Sequence, residues 1–139
     1  MYRKILVAND GSEGEFKALA AAIDLADRYR AELHMICVEE LPRFPATIDE
    51  VVEEREQAGH RFAKVIARAQ SAAKAKNLKL NAHVVAGHAV PAIINCVKER
   101  GIDLLVLGFM GHSAVFNRLI GSTADRLVEH APCTVLVAK

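Results

Sequence analysis

The amino-acid sequence predicts an α/β protein in which a five-stranded parallel sheet carries helices on both faces. Short aliphatic and β-branched runs alternate with stretches of helical periodicity, and no two strand-like runs follow one another directly. Two of those runs, "DLLVLG" at 103–108 and "TVLVA" at 134–138, are apolar throughout instead of alternating, as strands covered on both sides are. At 139 residues the chain suits one domain, 1–139, able to bury about two thirds of the surface its unfolded form exposes.

The elements follow in order. "YRKILVA", 2–8, is a strand closed by "NDGS", a set of turn formers and helix starters. From Ser12, the apolar positions Phe16, Leu19, Ala20, Ile23 and Ala26 fall three and four apart, which predicts a helix to about Arg30. "ELHMICVE", 32–39, is the second strand. Two prolines within "LPRFPAT" exclude helix and central strand there, so that segment is a loop. Thr47 and Glu50 have capping-box spacing, and a stripe from Val51 through Phe62, Val65 and Ala69 predicts a helix to about Lys76, with a possible break at Gly59.

"LKLNAHVVA", 78–86, ended by Gly87, is the third strand. "VPAIINCVKER" is a helix with Pro91 in its first turn and Gly101 as its stop. "DLLVLG" is the fourth strand and the most uniformly apolar. Ala124, Leu127, Val128 and Ala131 make a short helical stripe that Pro132 ends before the fifth strand, "TVLVA".

Composition narrows the function classes. Lys and Arg number 18 against 17 Asp and Glu, for a net charge of +1 with no long run of one sign, so nucleic acid is not an expected partner. Cys37, Cys96 and Cys133 are an odd number, widely spaced in apolar surroundings, and read as core thiols of a cytoplasmic protein. No stretch approaches the ~20 apolar residues that would span a bilayer, so a membrane is not expected either. His34, His60, His83 and His88 lack metal-ligand spacing, and His130 sits where an imidazole complements a helix dipole; a structural or surface role is expected for all five.

Chemistry concentrates in "GFMGHSAVFNRLIGST", 108–123. Gly108 ends the fourth strand and Asp10 follows the first, so in an open parallel sheet both lie on the carboxyl rim, where ligands bind. Glycine there permits positive φ and, lacking a Cβ, lets a ligand approach main-chain N–H groups. Ser122 and Thr123 open the last helix, whose free N–H donors and dipole favour an anion. Taken singly, each glycine is more simply a turn residue. Together, at a strand end, Gly108, Gly111, Gly121 and Ser122 describe a phosphate cradle.

Gly108-x-x-Gly111, nine residues, then Gly121-Ser122 resembles the nucleotide-binding pattern of the universal stress protein family. "NDGSEGEFKALAAAIDLA" and "GSTADRLVEHAPCTVLV" resemble the same family, so the similarity spans the chain. It implies a Rossmann-like sheet of order 3-2-1-4-5, of the adenine nucleotide alpha hydrolase-like kind, whose switch point falls between strands one and four. It further implies ATP, ADP or AMP as ligand, with or without Mg2+. By the same resemblance Ala8 lies beside the nucleoside, Asp10 near the ribose or a nucleotide-bound magnesium, and the Val38 main chain at the adenine edge. Met110, Gly111, His112 and Ser113, with Gly108, Gly121, Ser122 and Thr123, surround the phosphates. Family members often carry a small polar and a basic residue where this chain has Phe109, Met110 and His112.

The order also makes "TVLV" an edge strand, and a bare apolar edge invites a second chain, so a homodimer through the C-terminal strand is expected. The favoured function is a dimeric, nucleotide-responsive regulator of stress response acting on an unnamed protein partner. The alternatives are a slow ATP hydrolase and a ligand-free dimeric scaffold. Against an efficient enzyme, the chain lacks GxxxxGK[ST], an SGGxDS loop and a HIGH-like pair, and it offers no base beside the glycines except His112 or Asp10. GxGxxG is absent after the first strand, which disfavours a dinucleotide.

Overall fold

A computed structural model describes residues 1–9, 13–40, 47–109 and 122–139. Its elements run β1 (Lys4–Ala8), α1 (Glu13–Tyr29), β2 (Glu32–Glu40), α2 (Ile48–Lys74), β3 (Leu80–Gly87), α3 (Ala89–Arg100), β4 (Leu104–Gly108), α4 (Ser122–His130) and β5 (Thr134–Ala138). The strands form one sheet of order β3-β2-β1-β4-β5, parallel at every pairing. Strand order therefore reverses between β1 and β4.

Strand parity divides the interior into two cores. Ile5 and Val7 of β1, Met35 and Cys37 of β2, and Leu104 and Val106 of β4 pack with α1 and α2 residues such as Ala22 and Phe62. Leu6, Ile36, Leu105 and Leu107 face the other way, onto Val90, Ile93 and Val97 of α3 and Ala124 and Leu127 of α4. Successive side chains in a strand point to opposite faces, so an apolar strand such as β4, buried at all five positions, supplies both cores at once. β5 differs. It is half-buried from Val135 to Ala138 and exposed at Thr134, because it has a neighbour on one side only. The apolar run in the sequence predicts a strand covered on both faces, and edge position accounts for the difference.

Helix boundaries follow local chemistry. Thr47 caps α2 with a reciprocal box: the Glu50 N–H donates to Thr47 Oγ1 at 3.2 Å, and the Thr47 N–H donates to the Glu50 carboxylate at 3.3 Å. α2 then runs unbroken through Gly59, where nothing crowds the backbone, so the helix continues past the one point at which the sequence allowed a break. A single glycine costs a helix only about 1 kcal/mol, and the packing of Phe62, Val65, Ala69 and Ala73 outweighs it.

Candidate functional site

The carboxyl ends of β1 and β4 meet at the reversal. β1 and β4 pair in the register Val7↔Val106, and continuing it by two places sets Asn9 level with Gly108. The Asn9 N–H donates to the Ile36 carbonyl at 3.1 Å, closing β1 against β2. In a strand, alternate residues turn both N–H and C=O to the same neighbour. Two places beyond Ile36, the Val38 main chain therefore faces the same side, at the level where β1 has ended. Ala8 and Val38 both have their side chains on the α3–α4 face. The rim thus presents a small side chain, Ala8, and the main-chain donor and acceptor of Val38, while the buried Gly108 ends β4 with the parity of Val106, on the other face.

α4 packs on the face that Ala8 and Val38 share. Ser122 and Thr123 are exposed at its first turn, while Ala124 and Leu127 anchor the helix to the α3–α4 face. Its leading N–H groups and positive dipole end lie on the carboxyl side of the sheet, because a crossover helix runs antiparallel to the strands it joins. Of the residues singled out in the sequence, Ala8, Val38, Gly108, Ser122 and Thr123 are described and fall on this rim. Asp10, Met110, Gly111, His112, Ser113 and Gly121, along with Arg118, lie outside the described residues.

Two features of the rim escape sequence reasoning. Asn9, 2% exposed, is a buried amide at the switch point, hidden in the sequence inside a turn-forming "NDGS". Phe109 follows Gly108, donates its N–H to the Ala138 carbonyl at 2.9 Å, and carries the Lys139 ammonium over its ring, 5.4 Å from the centroid. The signal that could have found Lys139 is the β4–β5 register, Gly108↔Ala138, which is legible only once strand order is known.

A second polar cluster lies elsewhere. His34 is 5% exposed; its Nε2 meets the Glu32 carboxylate at 2.7 Å and its Nδ1 meets His83 Nε2 at 2.9 Å, with the two rings stacked. A hydrogen bond from His34 holds the Glu32 carboxyl below its ordinary value, while burial and then Arg100 push the His83 imidazole down. His83 opens onto a groove of about 230 Å³ between β3 and α3, lined also by Val85, Ala92, Asn95, Cys96 and Arg100. That groove is beside the outer strand, away from the switch point. Among the described residues no group of three or more His, Cys, Asp and Glu could hold a metal ion.

The cysteines divide. Cys37 and Cys96 are buried core thiols as expected, whereas Cys133 is only half-buried because it sits at the foot of the edge strand. Burial pushes both the Cys96 and the Cys133 thiols up, away from thiolate reactivity. No described helix is long and apolar enough to cross a membrane.

Sheet order and rim together define a doubly wound α/β protein, a class that binds its ligands outside the carboxyl ends of the strands where their order reverses. The model of the universal stress protein family matches residues 1–139, so the chain belongs to that family. It is 29% identical to the universal stress protein YxiE of Bacillus subtilis, over the full length of both. Among solved structures, it resembles universal stress protein UspA of Lactobacillus plantarum with a TM-score of 0.88 and 26% identity, covering 99% of this chain and 98% of that one. A universal stress protein solved in complex with cAMP superposes with a TM-score of 0.77 at 25% identity, covering 99% of this chain and 97% of the other.

Proposed function

We propose that this chain binds an adenine nucleotide, ATP or its di- or monophosphate with or without Mg2+, and works as a nucleotide-responsive regulator in the stress response of the cytoplasm. The observation that carries this is the arrangement of the rim where strand order reverses between β1 and β4. Ala8 puts only a methyl group on its α3–α4 face, Val38 turns a main-chain donor and acceptor toward the end of β1, and α4 opens on the same face. A purine edge needs a donor and an acceptor side by side, which one residue of main chain supplies without a special side chain. A phosphate chain needs N–H donors, and the head of α4 offers them. The cAMP complex of a family member with the same fold supports an adenine nucleotide as the ligand.

In this scheme Asp10, directly after Asn9, meets the ribose or a nucleotide-bound Mg2+, and Met110, Gly111, His112, Ser113 and Gly121 close around the phosphates with Ser122 and Thr123. The nucleotide changes the surface that a homodimer, joined through β5, presents to a protein partner.

The test is mass spectrometry of small molecules released from the purified protein, followed by calorimetric titration. An adenine nucleotide should be released or bind. Gly121→Val should abolish that binding with the circular dichroism spectrum and melting temperature retained, because a branched Cβ would fill the space a phosphate needs. Unchanged affinity in the variant would contradict the cradle; a wild-type protein that neither carries nor binds a nucleotide would overturn the function.

A further inference from the structure

We infer that Lys139 is the cation of the phosphate end of this site, and that it sets how strongly the protein distinguishes nucleotides by their phosphate number. The inference rests on nucleotide binding at the rim, and deepens it by assigning a residue that the glycine pattern does not contain.

Strand parity places the side chain. Val135 of β5 packs on the α3–α4 core, while Leu136 and Ala138 pack on the opposite one. The next residue, Lys139, therefore turns back to the α3–α4 face. Phe109 has the same parity on β4, two places after Leu107, which belongs to the α3–α4 core. The contact between the Lys139 ammonium and the Phe109 ring agrees with both assignments. α4 is anchored to this same face by Ala124 and Leu127, and its first turn lies at the same rim. Lys139, Phe109 and the head of α4 are thus gathered on one face at one end of the sheet.

Among the described residues at the strand ends, charge is polarised between β2 and β5. β2 ends in Glu39 and Glu40, and Glu40 accepts the Ala89 N–H at 3.1 Å and lies 3.4 Å from His88 Nδ1. At the β5 end stands Lys139. An anion laid across the rim is repelled at β2 and attracted at β5, which directs the phosphates of a nucleotide toward β5 and leaves β2 for the uncharged base. The helix head supplies only about half a unit of positive charge, against several negative charges on a triphosphate. A lysine is suited to the remainder: resting on an aromatic face holds an ammonium weakly, within the ~6 Å of a cation–π contact, and leaves it free to swing to a stronger partner.

The experiment is calorimetric titration of the full chain with adenosine, AMP, ADP and ATP at low and high salt, for the wild type, Lys139→Ala and Lys139→Arg. In the wild type, affinity should rise from adenosine to ATP, and the ATP value should weaken with salt. Lys139→Ala should lose about three- to tenfold on ATP, less on AMP and less than about twofold on adenosine, with a flatter salt dependence; Lys139→Arg should restore the preference. An equal loss on adenosine and ATP would assign Lys139 a merely structural role, and an unchanged phosphate preference would remove it from the site. Either result overturns the inference while nucleotide binding stands. A wild type that binds none of the four overturns both.

Discussion

At His83 a hydrogen-bonded row of three side chains ends, running from Glu32 through His34. The Glu32 carboxylate can only accept, so the His34 Nε2 donates to it, and the His34 Nδ1 and His83 Nε2 share one proton between them at 2.9 Å. Burial, with Arg100 and His34 nearby, disfavours a charge on His83. The unfolded chain, with an ordinary histidine near 6.5, gains a proton that the folded chain resists, so stability is full above that pH and falls as acid is added. Melting temperature should drop between pH 7.5 and 5.5, and by less in His83→Gln, as scanning calorimetry can read. Glu32 acts in a lower window: its depressed value stabilises the fold above the ordinary carboxyl range and is lost only as pH falls through it. Equal acid sensitivity in the variant would refute the His83 assignment. None of this was legible in the sequence, because His34 and His83 are 49 positions apart and meet only through the β2–β3 register.

Three helices end in one motif. At α1 the Ala31 N–H reaches back to the Ala26 carbonyl with Arg30 left-handed, at α2 Leu78 reaches Ala73 with Asn77 left-handed, and at α3 Ile102 reaches Val97 with Gly101 left-handed. This is the Schellman closure, and its pivotal residue prefers glycine. Gly101, at φ 65°, meets that preference, so Gly101→Ala should cost about 1–2 kcal/mol in urea denaturation. Arg30, at φ 53°, does not, and Arg30→Gly should raise the denaturation midpoint. A lowered midpoint would mean that the arginine side chain contributes more than its backbone strain costs. The α3 stop was readable because glycine marks it. The ends at Arg30 and Asn77 were placed only approximately, since the αL position there carries an ordinary side chain and the signal is a hydrogen bond five residues back.

At the scale of the whole molecule, the sheet of the described residues has β3 and β5 as its edge strands. On β5 the Ala138 carbonyl accepts the Phe109 N–H, so alternation turns the main chain of Ala138 and Leu136 to β4 and that of Val135 and Val137 outward. If β5 joins two chains, Val137→Pro should remove an outward donor without costing a bond to β4, and proline is tolerated on an edge. Light scattering should then show twice the chain mass for wild type and the single mass for the variant; a variant of undiminished mass would count against a β5 dimer. At this scale the sequence was most informative. Alternation of strands and helices predicts the parallel sheet, and the resemblance to the family implied the order that the structure shows. At the rim Gly108 was legible as a strand end, whereas Asn9 and Lys139 were opaque, because their neighbours come from strands distant in the chain.

The division of the interior by strand parity has an evolutionary consequence. Leu6 and Ala8 look toward the α3–α4 side, where α4 opens, while Ile5 and Val7, their neighbours in the strand, look toward α1 and α2. Selection for a different ligand can therefore rewrite every second residue near a strand end and leave the scaffold's other half untouched. A single-residue deletion within a strand allows no such independence: it exchanges the two sets, and ligand preference and folding would be lost together.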